Sequence, residues 1–215
     1  MRTSFQYRKL LSLISFYFTF FYAFSQNQSD TIIASRMECP FKLKVSNPDY
    51  LLEYVSDTFK YDSIKKNIVR IKIENEYCFV DKSSPKDLKN HALFIYLKIE
   101  EKNHPELFLR IQYAADDWLL INKMKITADE NIFWINKKYF EEFKTNKTNG
   151  KKWEWMDRKV DKEEYDIIKT LANSTNSQIF FYGLQFNNYR SITPCEKRAL
   201  KHMLKIYELV GGSLK

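Results

Sequence analysis

Residues 68–79, which read Ile-Val-Arg-Ile-Lys-Ile-Glu-Asn-Glu-Tyr-Cys-Phe, decide the fold that the sequence predicts. Apolar side chains occupy alternate positions, and charged side chains stand between them. The apolar set is Val69, Ile71, Ile73, Tyr77 and Phe79, and the charged set is Arg70, Lys72, Glu74 and Glu76. A period of two places the sets on opposite sides of a β-strand. This stretch predicts one strand with one face in a core and the other in water.

The same alternation recurs along the middle of the chain, in residues 93–99, 107–113 and 118–126, and the apolar run 132–135 follows. Residues 92–97 and 118–121 are apolar on both faces, which predicts central strands covered on both sides. The polar cluster 127–131 is typical of a turn, and short polar connections favour hairpins. We therefore expect an antiparallel β-sheet or β-sandwich core.

The period changes toward the end of the chain. Residues 144–152 predict a polar, basic loop, whereas 153–156 and 179–182 predict short strands. Asp161 and Thr193 each precede a glutamate by three residues, which is the capping-box spacing that begins a helix. Two helices that follow a strand-rich region predict an α+β fold with both helices packed on the sheet.

The composition agrees with a folded protein. The chain has 215 residues, 44% of them hydrophobic and 29% charged, with 4 glycines and 5 prolines. Few glycines and prolines exclude collagen-like and linker-like sequences, and the hydrophobic fraction argues against disorder. The length fits one domain with at most a small appendage.

The N-terminus has the pattern of a secretory signal peptide. Arg2, Arg8 and Lys9 precede an uncharged apolar run over residues 10–24, and small residues near Ser25 suit a signal peptidase. An uncleaved membrane anchor is the alternative, but a spanning helix needs about 20 apolar residues. We expect a signal peptide over 1–25, a leader with a first strand near 41–45 in 26–66, and a β-rich domain over 67–215.

Cleavage would remove three basic residues and no acidic one, so 32 basic residues would face 27 acidic ones. No later stretch is long and apolar enough to span a membrane. We therefore expect a secreted or periplasmic protein without an integral membrane span.

The three cysteines are Cys39, Cys78 and Cys195. They allow either one bridge or none, and their spacing matches no zinc site. We expect small buried apolar residues, with a Cys39–Cys78 bridge as the alternative.

Several segments resemble a family of small secreted or lipoprotein-like bacterial proteins. The matching segments are Asp116–Ile121, Ile126–Asp129, Trp153–Asp157, Leu171–Ser174 and Ile179–Gly183. The family shares an Asp-Asp-Trp-Leu strand start and a Trp-Glu-Trp segment, and the resemblance covers about half of the chain. The family has no established enzyme activity, so the resemblance implies an α+β architecture and export and does not specify a function.

Asp116, Asp117 and Trp118 are the candidate binding residues. Paired carboxylates suggest a cation, but the acids lack EF-hand spacing, so turn chemistry is the simpler interpretation. His91, His104 and His202 form no catalytic pattern with a nucleophile, and no phosphate loop or metal motif occurs. We expect no catalytic residue, metal or cofactor.

Two further sets of residues each allow two interpretations. The lysines of residues 137–152 predict a solvated face or contact with an anionic envelope or glycan surface, and export argues against nucleic acid. The four tryptophans predict core packing or a sugar platform.

The function expected is binding of an envelope protein or glycan. The alternatives are an envelope hydrolase with a scattered acidic and histidine site, or an inhibitor or immunity-type partner of another secreted protein.

Overall fold

The computed structural model describes residues 58–73, 76–84, 90–99, 104–136, 143–148 and 150–214. The predicted signal peptide, and the first strand predicted near 41–45, lie outside these residues. The described helices are α1 (Thr58–Asn67), α2 (Lys162–Asn173) and α3 (Pro194–Leu209). The described strands are β1 (Ile68–Ile73), β2 (Glu76–Asp81), β3 (Ala92–Lys98), β4 (Glu106–Ala115), β5 (Lys123–Ala128), β6 (Asn131–Asn136), β7 (Lys144–Thr148), β8 (Lys151–Lys159), β9 (Ser177–Tyr182) and β10 (Asn187–Ser191).

The strands form two antiparallel sheets. The larger sheet has six strands in the order β1-β2-β3-β4-β8-β7, and the smaller has four in the order β10-β9-β5-β6. Helix α3 packs on β3 and β2, and helix α2 packs on α3. The predicted α+β fold with an antiparallel core and two C-terminal helices is confirmed.

One apolar core joins the two sheets and the helices. It contains Ile111 and Tyr113 from β4, Ile126 from β5, Phe181 from β9 and Met203 from α3. A second cluster covers the opposite face of the larger sheet and includes Val80, Phe94 and Tyr96, all buried. Strand β3 is buried on both faces, as predicted for 92–97.

The single strand predicted over 69–79 is instead the β1–β2 hairpin. Its register pairs Ile71 with Cys78 and Val69 with Val80. Residues directly opposite each other share a face of the sheet, so odd positions of β1 meet even positions of β2. Phe79 therefore joins the core between the sheets, whereas Val69 joins the second cluster.

Two other sequence predictions were wrong. Residues 118–122 are not part of a strand, and β5 begins only at Lys123. The polar stretch 144–152 is not a loop, because Lys144–Thr148 pairs with Lys151–Trp155 as the hairpin β7–β8. Helix α1 and strand β10 were not predicted.

Both capping boxes are confirmed. The Asp161 side chain accepts a hydrogen bond from the Glu164 amide, and the Glu164 side chain accepts one from the Asp161 amide. Thr193 and Glu196 make the same reciprocal pair, with Pro194 in the first turn of α3. Each box satisfies backbone amides that a helix start leaves without intrahelical partners.

The cysteines differ in state. Cys78 is a free, fully buried thiol on β2, and burial raises its pKa to about 11. A thiol with so high a pKa is protonated at neutral pH and unreactive. Because Cys78 is free, the alternative bridge between Cys39 and Cys78 is wrong. Cys195 is disulfide-bonded and only half-buried, so the expectation of a small buried apolar residue is confirmed for Cys78 and wrong for Cys195.

We predict one free thiol per chain when the unreduced protein is denatured, and three after reduction, because Cys195 is bridged and Cys78 is free. Titration with a chromogenic disulfide reagent in guanidinium measures both values. In the native protein the thiol should react slowly, since Cys78 has no exposed surface. Three thiols before reduction would contradict the bridge.

Candidate functional site

Asp116 and Asp117 lie on the surface where β4 ends. Asp116 accepts a hydrogen bond from Lys151 Nζ at 2.7 Å, and Asp117 accepts one from Lys152 Nζ at 2.8 Å. The Lys151 ammonium lowers the pKa of Asp116. Both aspartates are exposed and Trp118 is half-buried. Each predicted acid therefore has a cationic partner from β8.

The chain beyond these aspartates is held by a buried carboxylate. Glu154 Oε1 accepts hydrogen bonds from the backbone amides of Leu119 at 2.6 Å and Leu120 at 2.9 Å. Oε2 accepts one from the amide of Ile121 at 2.8 Å. Glu154 is 1% exposed and is the centre of the Trp-Glu-Trp segment. The two sequence motifs are thus the two halves of one internal contact, which we call the Glu154 clamp.

The Glu154 clamp explains why residues 118–122 are not a strand. Three consecutive amides that point to one carboxylate cannot also alternate across a sheet. Leu120 accordingly has a φ of 55°, in the left-handed region that few side chains adopt. The hydrogen bonds that the amides of Leu119, Leu120 and Ile121 donate to Glu154 hold the backbone of Leu120 in this conformation.

The clamped segment also requires Gly183. The Leu184 amide donates to the Leu119 carbonyl at 3.1 Å. A Cβ atom on residue 183 would lie 2.0 Å from that carbonyl oxygen, which no side chain tolerates. The β4–β5 and β9–β10 connections therefore lie against each other.

Two other buried glutamates attach the helices to the sheets. Glu164 at the start of α2 accepts from Arg158 Nη1 of β8 at 2.8 Å. Glu196 at the start of α3 accepts from both Arg190 terminal nitrogens, at 2.8 and 2.9 Å, and from the Leu93 amide at 3.1 Å. These contacts are structural, since each carboxylate is saturated by groups of the protein itself.

His202 and His91 have hydrogen-bond partners other than Asp116 and Asp117. His202 Nδ1 lies 3.1 Å from Oδ2 of the buried Asp81, while Ser83 donates to the other oxygen of that carboxylate. The carboxylate thus stands between serine and imidazole, whereas in a nucleophilic triad the imidazole stands in the middle. His91 Nδ1 accepts from the Ala114 amide at 3.3 Å, and burial lowers its pKa. Exposed His104 lies just before β4.

The tryptophans do not form one platform. Trp153 is buried, Trp155 and Trp118 are half-buried, and Trp134 is 48% exposed. The expectation of core packing holds fully for Trp153 alone. Trp134 belongs to a separate surface that was not predicted.

That surface is the outward side of the four-stranded sheet. Its central row runs Tyr189, Phe180, Lys125, Trp134 across the strands, and the next row runs Asn187, Tyr182, Lys123, Asn136. A third row runs Ser191, Gln178, Thr127, Ile132. We call these twelve residues the aromatic–lysine face. All twelve are described, and none is acidic.

The two lysines of the face lie among its aromatic rings. Lys123 Nζ is 5.1 Å from the ring centres of both Trp134 and Tyr182. Lys125 Nζ is 4.1 Å from the ring centre of Phe180 and 6.0 Å from that of Trp134. Tyr189 stacks on Phe180 at 5.5 Å. Cation–π contacts of this kind localise both ammonium groups.

Exposed apolar side chains concentrate on and beside this face. Of the seven large apolar side chains exposed in the described part of the chain, three belong to the face: Ile132, Trp134 and Tyr189. Three more, Leu120, Leu184 and Phe186, belong to the two connections at its Tyr182 end. The seventh, Tyr77, lies on β2. The largest exposed apolar patch of a soluble protein is often functional.

The sequence carried a partial signal for this face. Phe180, Phe181 and Tyr182 put aromatic rings on both sides of a strand, although one side of that strand reaches solvent. The lysines gave no signal, because only the register of β5 between β6 and β9 places them among the rings. Within the predicted basic patch, Lys144 and Lys147 are exposed on β7, and Lys151 and Lys152 pair with the aspartates.

Comparisons with known proteins add no family to this geometry: no family model, curated protein or solved structure matches the chain. Among the described residues, no group of three or more metal-ligating side chains comes together. None of the described helices has the length and apolar character that crossing a membrane requires.

We predict that Glu154→Gln lowers the free energy of unfolding by about 1.5–3 kcal/mol, since hydrogen bonds to a charged acceptor are lost from a buried site. Urea denaturation measures this change, and amide exchange of Leu119, Leu120 and Ile121 should accelerate locally. Asp117→Asn is the matched control. It should leave the urea midpoint nearly unchanged, because exposed ion pairs contribute little. Equal effects of both variants would contradict the clamp.

Proposed function

We propose that the protein is exported and acts by binding a component of the bacterial envelope through the aromatic–lysine face. The observation that carries this proposal is the concentration of exposed apolar side chains on one sheet face that also bears two localised lysines. Tyrosine and tryptophan are the residues that most often dominate binding surfaces.

Two features support an extracytoplasmic location. The N-terminal pattern of basic residues followed by an apolar run is that of a secretory signal. The bridged Cys195 is also consistent with an oxidising compartment, since structural disulfides are rare in the reducing cytosol.

The aromatic–lysine face replaces Asp116, Asp117 and Trp118 as the proposed binding surface. The two aspartates pair with lysines of β8, so the competing proposal of an envelope hydrolase would need other groups, such as Asp81 and His202. An inhibitor or immunity-type role would use the same face against another secreted protein.

We predict that the double variant Trp134→Ala/Tyr189→Ala loses at least tenfold in affinity for an isolated bacterial envelope fraction, because hot-spot aromatics carry most of the energy of a binding surface. Co-sedimentation over a range of envelope concentrations measures the affinity.

Tyr77→Ala is the matched control, because Tyr77 is 57% exposed on β2 and Tyr189 is 63% exposed on β10. The control should bind as the wild type does. Urea denaturation verifies that all variants fold. Undiminished binding of the double variant would contradict the proposed face.

A further inference from the structure

We propose that the aromatic–lysine face, together with the apolar connections at its Tyr182 end, docks on an anionic phospholipid membrane surface. This inference rests on the proposed binding function and names the partner of the face. The chain would lie on the bilayer as a peripheral protein.

Charge is the first argument. Lys123 and Lys125 occupy the middle strand positions of a face that has no acidic residue among its twelve outward positions. Each ammonium lies against aromatic rings, so it is presented to the partner in a restricted position. Anionic headgroups complement this arrangement, because a lysine within about one Debye length of an anionic surface is attracted to it. A second copy of the chain would instead bring four lysines together.

Apolar shape is the second argument. Leu184 is 70% exposed and Phe186 is exposed beside it, in the short connection after Tyr182. Leu120 adjoins them through the backbone contact between Leu119 and Leu184. Leucine and phenylalanine side chains next to lysines are typical of segments that enter the headgroup boundary. Trp134 and Tyr189 suit the same depth, where amphipathic rings accumulate.

Size is the third argument. Three gaps of about 4.8 Å between strands and six residues of about 3.4 Å along them give a face of about 14 Å by about 20 Å. Stable protein–protein interfaces take about 20–30 residues from each partner, which is more than the twelve of this face and the three apolar residues beside it. Membrane docking needs only a few inserted side chains and a few charges.

The rings also argue against a nucleic acid strand. Bases bind such proteins by stacking on open aromatic faces. Here Lys123 and Lys125 lie over the rings of Trp134, Tyr182 and Phe180, and Tyr189 stacks on Phe180. The exposed aliphatic side chains of Ile132, Leu120 and Leu184 likewise match acyl chains better than hydrated sugars.

The test is vesicle sedimentation of the full chain, purified after expression with its own N-terminal segment. Vesicles of phosphatidylglycerol and phosphatidylcholine in equal parts should bind it at low ionic strength, and pure phosphatidylcholine vesicles should bind it far less. Lys123→Gln/Lys125→Gln should weaken binding about thirtyfold, from the contribution of two lysines at an anionic surface. Leu184→Ser/Phe186→Ser should weaken it more than tenfold.

The matched controls are Lys144→Gln/Lys147→Gln, which removes two exposed lysines of β7, and Tyr77→Ser, which removes an exposed ring of β2. Both should bind as the wild type does. As a second readout, brominated phosphatidylcholine in the anionic vesicles should quench the fluorescence of Trp134, and Trp134→Phe should abolish that quenching.

Three outcomes would overturn the lipid partner. They are equal binding to both vesicle types, equal binding of the face and control variants, and tighter binding to alginate or to a single-stranded oligonucleotide at the same salt concentration. If the envelope fraction still distinguishes Trp134→Ala/Tyr189→Ala from Tyr77→Ala, the binding function stands and only the lipid assignment fails. If it does not, the binding function fails as well.

Discussion

The three hydrogen bonds that the Glu154 carboxylate accepts fix the segment of chain that joins the two sheets. The chain leaves the larger sheet at Ala115 and enters the smaller one at Lys123, and in between it must bury part of an irregular backbone. Buried amides without acceptors cost stability, and no strand partner is available to these three. Glu154 of β8 supplies both oxygens to them. The connection is therefore fixed to the larger sheet at the point where it crosses to the smaller one.

The helices are attached by the same physical means. Glu164 and Glu196 each complete a capping box and also bind an arginine of a strand, Arg158 and Arg190. A buried carboxylate is costly unless its oxygens are satisfied, and here amides and guanidinium groups satisfy them. Each glutamate thus fixes where a helix begins and which strand it begins beside. Removing one member of such a pair would leave the other charged and buried, which is strongly destabilising.

Much of the fold could be predicted from periodicity. Apolar alternation predicted β3 and β4, an apolar run predicted β6, and the capping spacings of Asp161 and Thr193 predicted the two C-terminal helices. The wrong strand predictions have one cause: an apolar period of two shows neither where a strand turns nor which residues lie opposite it. Residues 69–79 keep their alternation through a hairpin, and 118–122 look like a strand although a side chain distant in sequence takes their amides.

The proposed site was harder to predict for the same reason. Asp116 and Asp117 were predicted as binding residues because they are adjacent acids. Their partners Lys151 and Lys152 come from a strand that pairs with β4, which the sequence does not show. The rows of the aromatic–lysine face form only when four strands pair in a particular register, and the sequence does not show that register. The Asp-Asp-Trp-Leu and Trp-Glu-Trp segments, on which the proposed family resemblance rests, contain Leu119 and Glu154 of the Glu154 clamp. Those residues serve architecture, and the proposed binding residues lie outside them.

The polar strand β7 has a consequence for how the protein behaves in crowded solution. It ends the larger sheet, and all five of its residues are exposed, two of them lysines. A short, charged outer strand discourages neighbouring molecules from adding strands of their own. The composition that made residues 144–152 look like a loop is thus what suits an edge strand, because it disfavours extension of the sheet into fibrils along this margin.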